Sequence, residues 1–178
     1  MLQKRNEFEI IELLRKESLH LREIAKKLRM IPSTVMRILS NLRKENVVDF
    51  KVEGRNNKYF LKDTIESQQY LLMTEQYKLL QLINNPLLRR TIQEIRKKTK
   101  NELVILFGSY VKGQALKNSD IDVYIETKNR RLKKNIEEIS SKLSVKIGEF
   151  NKNSLLIKEI IKNHVIIQNV GRFYKLIK

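Results

Sequence analysis

The sequence predicts an α+β protein of two domains, and three features lead to this prediction. The N-terminal third contains three short helical patterns and a hairpin pattern, a longer helical pattern follows, and the last half alternates strands with helices. The 178 residues, 41% of them hydrophobic, are enough for two small packed domains. We expect three helices plus a β-hairpin at residues 1–62, a linker or dimerisation helix at 63–86, and a small mixed β-sheet with flanking helices at 87–178.

The composition excludes several classes of protein. Cysteine is absent, so disulfide frameworks and thiolate metal sites are excluded, and a reducing compartment is the natural setting. No apolar run approaches the roughly 18 residues that a membrane-spanning helix needs. We therefore expect a cytoplasmic protein with no membrane partner.

The formal charge of +17 is unevenly distributed along the chain. Residues 1–62 carry 15 basic and 8 acidic side chains, residues 127–178 carry 13 and 4, and residues 63–126 are nearly balanced at 9 and 8. A basic surface attracts phosphate groups, so this distribution favours a nucleic acid or a nucleotide as partner. A lysine-rich solvated surface has the same composition and is the alternative interpretation.

The third helical pattern of the first domain has two distinct faces. Pro32 suits a first helical turn, and the residues that follow it at helical spacing form one apolar stripe: Val35, Ile38, Leu39 and Leu42. The opposite face carries side chains that can form hydrogen bonds: Ser33, Thr34, Arg37, Asn41 and Lys44.

The segment "VVDFKVEGRNNKYFLK" predicts a hairpin, because apolar and polar residues alternate on both sides of the turn-forming "GRNN". Three helices and a basic-tipped hairpin resemble the winged helix-turn-helix family. The resemblance implies that the third helix enters the major groove of double-stranded DNA and that the wing lies along the backbone or minor groove. It implies DNA contacts by Ser33, Thr34, Arg37, Asn41 and Lys44, with Arg55 and Lys58 on the wing. Protein docking is the alternative use of such a domain.

The linker region reads as one long helix from Asp63 to about Asn85. Its apolar residues Ile65, Leu72, Leu79 and Ile83 stand near heptad spacing. Such a stripe packs either on its own domain or on a second copy of the chain. A homodimer would suit a winged helix, because paired reading heads match two half-sites.

Two carboxylates stand on one predicted strand of the second domain. "ELVILFGS" is an apolar strand that stops at Gly108 and Ser109, and "DIDVYIE" is the next strand. Side chains two residues apart share a face, so Asp120 and Asp122 lie side by side and repel each other unless a cation neutralises them. Magnesium prefers such hard oxygen ligands and keeps positions open for phosphates.

The glycine-serine pair offers a binding place for those phosphates. Gly108 allows a close approach of the backbone, and N–H groups and the hydroxyl near Ser109 can donate hydrogen bonds at the start of a short helix expected in "YVKGQALKN". Lys112 adds positive charge. We therefore predict nucleotide binding by Gly108, Ser109 and Lys112, and metal binding by Asp120 and Asp122.

A strand, a G-S pair, ten residues and D-x-D on a second strand are together similar to the nucleotidyltransferase superfamily of DNA polymerase β type. The resemblance covers about residues 87–169. It implies an NTP substrate, transfer of a nucleoside monophosphate to an acceptor hydroxyl with release of pyrophosphate, and two Mg²⁺ ions at the catalytic carboxylates Asp120 and Asp122.

The resemblance also implies a third carboxylate on the next strand, "KLSVKIGEF", where this chain departs from the pattern. Alternation places Ser144, Lys146 and Gly148 on the relevant face, so a lysine stands where the acid is expected. Glu149 completes the catalytic set only if a bulge at Gly148 turns it round. Glu126 lies about 13 Å from Asp122 at strand rise, which is too far to bind the same ion.

Two functions of different class follow from these patterns. The first is a DNA-tethered, Mg²⁺-dependent nucleotidyltransferase with an unidentified acceptor. The second is a regulator that binds DNA and senses a nucleotide without performing the transfer, as Lys146 suggests. A third interpretation, from the resemblance alone, pairs the chain with a HEPN-type ribonuclease toxin that it silences by adding nucleotides.

Overall fold

The computed structural model describes residues 5–177, which divide into two compact units. The N-terminal unit extends to Tyr77, and the C-terminal unit begins at Lys78. The boundary falls inside a helix that covers most of the predicted linker. The α+β fold class predicted from the sequence is confirmed.

The N-terminal unit is built from three helices around a small apolar core. The third helix begins at Pro32, which has no backbone N–H to leave unsatisfied there. Val35, Leu39 and Leu42 are buried as the periodicity predicted, and Ile38 packs at the edge of the same core. The helices are α1 (Asn6–Lys16), α2 (Leu21–Leu28) and α3 (Pro32–Lys44).

A three-stranded antiparallel sheet completes this unit. The predicted hairpin is present, with Glu53 opposite Asn56 and a turn in which Gly54 has φ +62. The strand β1 escaped prediction, because two residues are too short for an alternating pattern; it pairs with β3 at the sheet edge. The strands are β1 (Leu19–His20), β2 (Val48–Glu53) and β3 (Asn56–Leu61).

The helix α4 (Ile65–Leu82) carries the predicted heptad positions, but they do not form one buried stripe. Leu79 is buried, whereas Ile65 is 75% exposed. Its N-terminal portion packs within the N-terminal unit: the Tyr77 hydroxyl accepts a hydrogen bond from the Arg5 N–H at 2.9 Å, and the Tyr77 ring lies 5.2 Å from that of Phe8. Dimerisation through this helix stays a prediction.

The C-terminal unit is a mixed four-stranded sheet in the order β6-β5-β4-β7. Strands β5 and β6 run parallel, and the other neighbours are antiparallel. The strands are β4 (Val104–Phe107), β5 (Ile121–Glu126), β6 (Leu143–Gly148) and β7 (Val165–Gln168). The helices are α5 (Pro86–Lys98), α6 (Arg130–Glu137), α7 (Leu155–Lys162) and α8 (Val170–Ile177).

The two faces of this sheet have different coverings. On one face, alternate strand residues such as Val123 and Val145 pack against Ile92 of α5 and Ile136 of α6. On the other face Tyr124 starts a chain of ring contacts, because it lies 6.2 Å from Phe150, which lies 5.8 Å from Phe173, which lies 4.4 Å from His164. Asp122 shares this second face, since it stands two residues before Tyr124.

The short helix expected after Gly108 is wrong. Residues 109–113 form consecutive turns, in which the Lys112 N–H donates to the Gly108 carbonyl at 3.2 Å. The Gln114 N–H then donates to the Ser109 carbonyl at 3.0 Å, and Gly113 has φ +67. This is the geometry of a helix C-terminus, so the glycine ends the helical path after one turn.

Among the described residues, no helix is long and apolar enough to cross a bilayer.

Candidate nucleotide site and nucleic-acid interface

The Asp122 carboxylate lies directly against the backbone of Gly108. Phe107, the last residue of β4, is paired with Asp122 on β5, and Gly108 follows with φ +77. A Cβ atom added at Gly108 would stand 2.2 Å from Asp122 Oδ2. Position 108 therefore requires glycine for two reasons: the backbone conformation and the contact with the carboxylate.

The surroundings of Asp122 disfavour its negative charge. Burial raises the pKa of the Asp122 carboxyl above its ordinary value, and the negative charges of Asp120 and Glu159 act in the same direction. A hydrogen bond from the Ser144 side chain and the positive charge of Lys146 act in the opposite direction. Asp122 is half-buried, whereas Asp120, just before the strand, is exposed.

The turn after Gly108 presents donors at the same place. Within the described part of the chain, the backbone N–H groups of Ser109 and Tyr110 have no hydrogen-bond partner, whereas those of Lys112, Gly113 and Gln114 donate to carbonyls in the turn. Tyr110 packs against the core instead of standing free. Free N–H groups beside a paired carboxylate suit an anion that arrives together with a cation.

Lys112 is engaged by a residue that the sequence patterns did not single out. Its Nζ lies 2.7 Å from Oε1 of Glu159 on α7, with 34% and 48% of the two side chains exposed. Glu159 also acts on the pKa of Asp122, as described above. The predicted nucleotide-binding lysine and the predicted metal carboxylate are thus linked through Glu159.

The strand β6 places Ser144 and Lys146 as alternation predicted. Ser144 is the parallel-register neighbour of Asp122, and Lys146 is that of Tyr124. The Tyr124 hydroxyl donates to the Gly148 carbonyl at 2.8 Å, which ties the end of β6 to β5. In this register a serine and a lysine face the carboxylates from the neighbouring strand.

Glu149 stands apart from the two aspartates. It follows the end of β6, its side chain is 74% exposed, and it is paired with Lys128 at 2.5 Å. The Lys128 ammonium lowers the pKa of the Glu149 carboxyl. Among the described residues that shift the pKa of Asp122, Glu149 is not found. Its predicted catalytic role therefore gains no support from its position.

Glu126 has a structural partner. Arg172 of α8 donates to both of its carboxylate oxygens, at 2.6 and 3.0 Å. The two-point contact ties α8 to the end of β5. Glu126 is therefore occupied in an ion pair, which fits its exclusion from the predicted metal site.

No group of three or more acidic or histidine side chains in residues 5–177 is arranged to hold a metal ion without other ligands. The pair Asp120 and Asp122 nevertheless has the oxygen donors that Mg²⁺ prefers, and a cation would relieve the repulsion that raises the pKa of Asp122. Such a site fits an ion that brings phosphate oxygens and water as its remaining ligands.

The helix α3 presents its predicted polar face to solvent. Ser33, Arg37, Asn41 and Lys44 are exposed, and Thr34 is half-buried. Sequence reasoning did not single out Ser40 and Met36 on this side, and Met36 is 50% exposed. Arg37 and Asn41 also line a cavity of about 320 Å³ together with Glu7 and Tyr70. The hydroxyl of Tyr70 donates to Glu45, which raises its pKa to about 12.

The two basic residues of the wing differ in their surroundings. Arg55 follows Gly54 at the exposed tip. Lys58 lies 3.3 Å from Glu53, and His20 lies 3.1 Å from the same carboxylate. The Lys58 charge is therefore partly balanced by a neighbouring acid, whereas Arg55 projects from the turn without such a pair among the described residues.

Two protein-family models match separate parts of the chain. Residues 7–49 match the bacterial regulatory proteins of the arsR family, and residues 88–167 match the nucleotidyltransferase domain. The first match covers α1 to the start of the wing, and the second covers β4, the glycine-serine turn, both aspartates and β7. No curated protein matches the chain.

Solved structures with similarity to the chain include several regulators. Reduced HlyU from Vibrio cholerae is 22% identical over 43% of this chain and 77% of its own, with a TM-score of 0.36. AdcR from Streptococcus pyogenes is 19% identical over 48% and 66%, with a TM-score of 0.41. A mutant of MepR from S. aureus, bound to an oligodeoxyribonucleotide, is 17% identical over 49% and 64%, with a TM-score of 0.37.

The two family matches and the two folds agree in position and in order along the chain. The protein joins an N-terminal winged helix-turn-helix domain to a nucleotidyltransferase domain.

Proposed function

We propose that the C-terminal unit transfers a nucleoside monophosphate from an NTP to an acceptor hydroxyl in a Mg²⁺-dependent reaction. The observation that carries the proposal is the contact between Gly108 and the Asp122 carboxylate. It places the free N–H groups of the glycine-serine turn beside the paired carboxylates. A triphosphate and its cation require these two features in one place.

Each residue of the site has a distinct role in this proposal. Asp120 and Asp122 would hold one divalent ion, which would supply positive charge at the phosphates. The Ser109 and Tyr110 N–H groups and the Lys112 ammonium would hold the β- and γ-phosphates. A second ion, expected from the resemblance, would take most of its ligands from the nucleotide.

The transfer itself asks little covalent chemistry of the protein. The acceptor oxygen forms a bond to the α-phosphorus, the bond from that phosphorus to the bridging oxygen breaks, and pyrophosphate leaves. The acceptor proton passes to a carboxylate or to water. The chain contributes orientation of the phosphates and compensation of charge.

Nucleotide binding by the protein and its Asp120→Asn/Asp122→Asn variant tests the proposal. We expect calorimetric binding of a non-hydrolysable NTP analogue that needs Mg²⁺ and weakens about tenfold or more in the variant. With α-labelled NTPs and cell extract as acceptor source, the wild type should label a product and the variant should not. Binding that ignores both metal and variant would contradict the proposal.

The N-terminal unit, we further propose, binds double-stranded DNA through the exposed face of α3 and the tip of the wing. Arg37 and Lys44 stand on that face, and Arg55 stands at the wing tip. A homodimer would present two such faces to a pair of half-sites. Anisotropy of labelled duplex DNA at several salt concentrations tests DNA binding, and sedimentation tests the oligomeric state.

A second candidate function is regulation by nucleotide binding without transfer. Lys146 favours it, because an ammonium group faces the carboxylates from the strand where the resemblance implies an acid. This candidate predicts Mg²⁺-dependent NTP binding with no labelled product, and DNA binding that persists in Asp120→Asn. Labelling of any acceptor that depends on Asp120 would eliminate it.

A further inference from the structure

We propose that Glu159 is the third carboxylate of the nucleotide site, released for this role when the nucleotide phosphates draw Lys112 away from it. The inference rests on the proposed nucleotide site and names a residue that neither the D-x-D pattern nor the neighbouring strand provides. In the nucleotide-free protein, Glu159 is paired with Lys112 at 2.7 Å.

The backbone brings Glu159 to the site from a distant part of the chain. Ile157 and Ile160 of α7 are buried and fix the helix, so that Glu159 lies on its exposed side. Lys112 stands one turn after Gly108, and Gly108 packs on Asp122. The order of contacts is therefore Glu159 to Lys112, and from the Lys112 turn to the Asp122 carboxylate.

The charges around Asp122 explain why the exchange is favourable. The carboxylates of Asp120, Asp122 and Glu159 share this surface with the ammonium groups of Lys112 and Lys146. A triphosphate offers Lys112 several negative charges, whereas a half-exposed ion pair with one carboxylate is weak. Once Lys112 binds phosphate, Glu159 lacks its counter-charge beside Asp122, and a divalent cation is then its best partner.

Glu149 provides a matched control. It is also a glutamate in an exposed ion pair with a lysine, but its pair with Lys128 lies outside the set of charges that act on Asp122. Glu159→Gln and Glu149→Gln therefore remove the same charge from two similar surface pairs. Because both side chains are exposed, we expect both variants to fold.

The experiment measures Mn²⁺ affinity by electron paramagnetic resonance, with and without a non-hydrolysable NTP analogue. With the analogue, Glu159→Gln should weaken Mn²⁺ binding about tenfold or more, and Glu149→Gln should bind as the wild type does. Without the analogue, both variants should match the wild type, because Lys112 then holds Glu159.

Lys112→Ala tests the release step. Without Lys112, Glu159 is free before the nucleotide arrives, so Mn²⁺ should bind the nucleotide-free variant more tightly than it binds the wild type. Equal effects of Glu159→Gln and Glu149→Gln in the presence of the analogue would overturn the inference, while the Asp120 and Asp122 site would survive. A wild type that binds no analogue would overturn both the inference and the proposed function.

Discussion

Each unit contains a glycine in the left-handed conformation at a turn after a strand, and the two glycines have different surroundings. Gly54 in the wing has φ +62, and nothing lies within 4 Å of where its Cβ would stand. Gly108 has φ +77, and the Asp122 carboxylate would lie 2.2 Å from its Cβ. The wing glycine serves the reversal of the chain, whereas Gly108 also makes room for a functional group.

The same contrast holds for the charged residues of the two units. Arg37, Lys44 and Arg55 stand on an open surface, where each can contact a phosphate independently of the others. In the C-terminal unit, Asp122 is coupled to Ser144, Lys146 and Glu159. We therefore expect substitutions to act additively at the DNA face and non-additively at the nucleotide site.

Alanine at the two glycines should give the largest difference. Both substitutions force alanine into the left-handed region, at a cost of roughly 1–2 kcal/mol. Gly108→Ala adds the clash with Asp122, so we expect a loss of about 3 kcal/mol or more in unfolding free energy and loss of nucleotide binding. Urea denaturation and calorimetry measure the two effects. Equal losses for Gly54→Ala and Gly108→Ala would break the comparison.

The DNA face should respond to single charges. Arg37→Ala should weaken duplex binding by about 1–3 kcal/mol if Arg37 contacts a base, and Lys44→Ala should lower the slope of log affinity against log salt by about 1. The double variant should lose the sum of the two effects. Asp120→Asn is the control and should bind DNA as the wild type does. Strong non-additivity would show that these side chains are coupled after all.

The wing offers a finer test within one hairpin. Arg55→Ala should reduce the salt slope by about 0.9, as expected for one lost phosphate contact. Lys58→Ala should reduce it less, because Glu53 already balances part of the Lys58 charge. Glu53→Gln should then strengthen DNA binding slightly. A larger effect of Lys58→Ala than of Arg55→Ala would show that the ion pair with Glu53 opens on the DNA.

The smallest effect concerns the stability of the nucleotide-free protein. The pKa of Asp122 is raised in the folded state, so its charged form destabilises the fold above that pKa, and acidification through the folded and then the unfolded pKa removes the penalty. Asp122→Asn should therefore be neutral or stabilising at pH 7, by less than about 1 kcal/mol given solvent screening. The gain should vanish toward pH 3. Clear destabilisation at pH 7, measured by urea denaturation, would contradict this account.

Local patterns predicted most of the elements and the centre of the site. The apolar stripe of α3, the wing turn, and the alternation that places Asp120 and Asp122 together all follow from neighbouring residues. The short strand β1 and the single turn after Gly108 were not predicted correctly. The pairing of β1 depends on β3 some forty residues away, and the turn ends where Gly113 takes a positive φ.

What the sequence determined by itself is the local part of the chemistry: the side on which a strand residue points, and the presence of glycine where a turn must be tight. Only the tertiary structure decided that Ser144 would stand opposite Asp122 and that Glu159 would reach Lys112. These neighbours are set by strand register and by the packing of α7. Both depend on contacts between distant segments, which local backbone preferences do not encode.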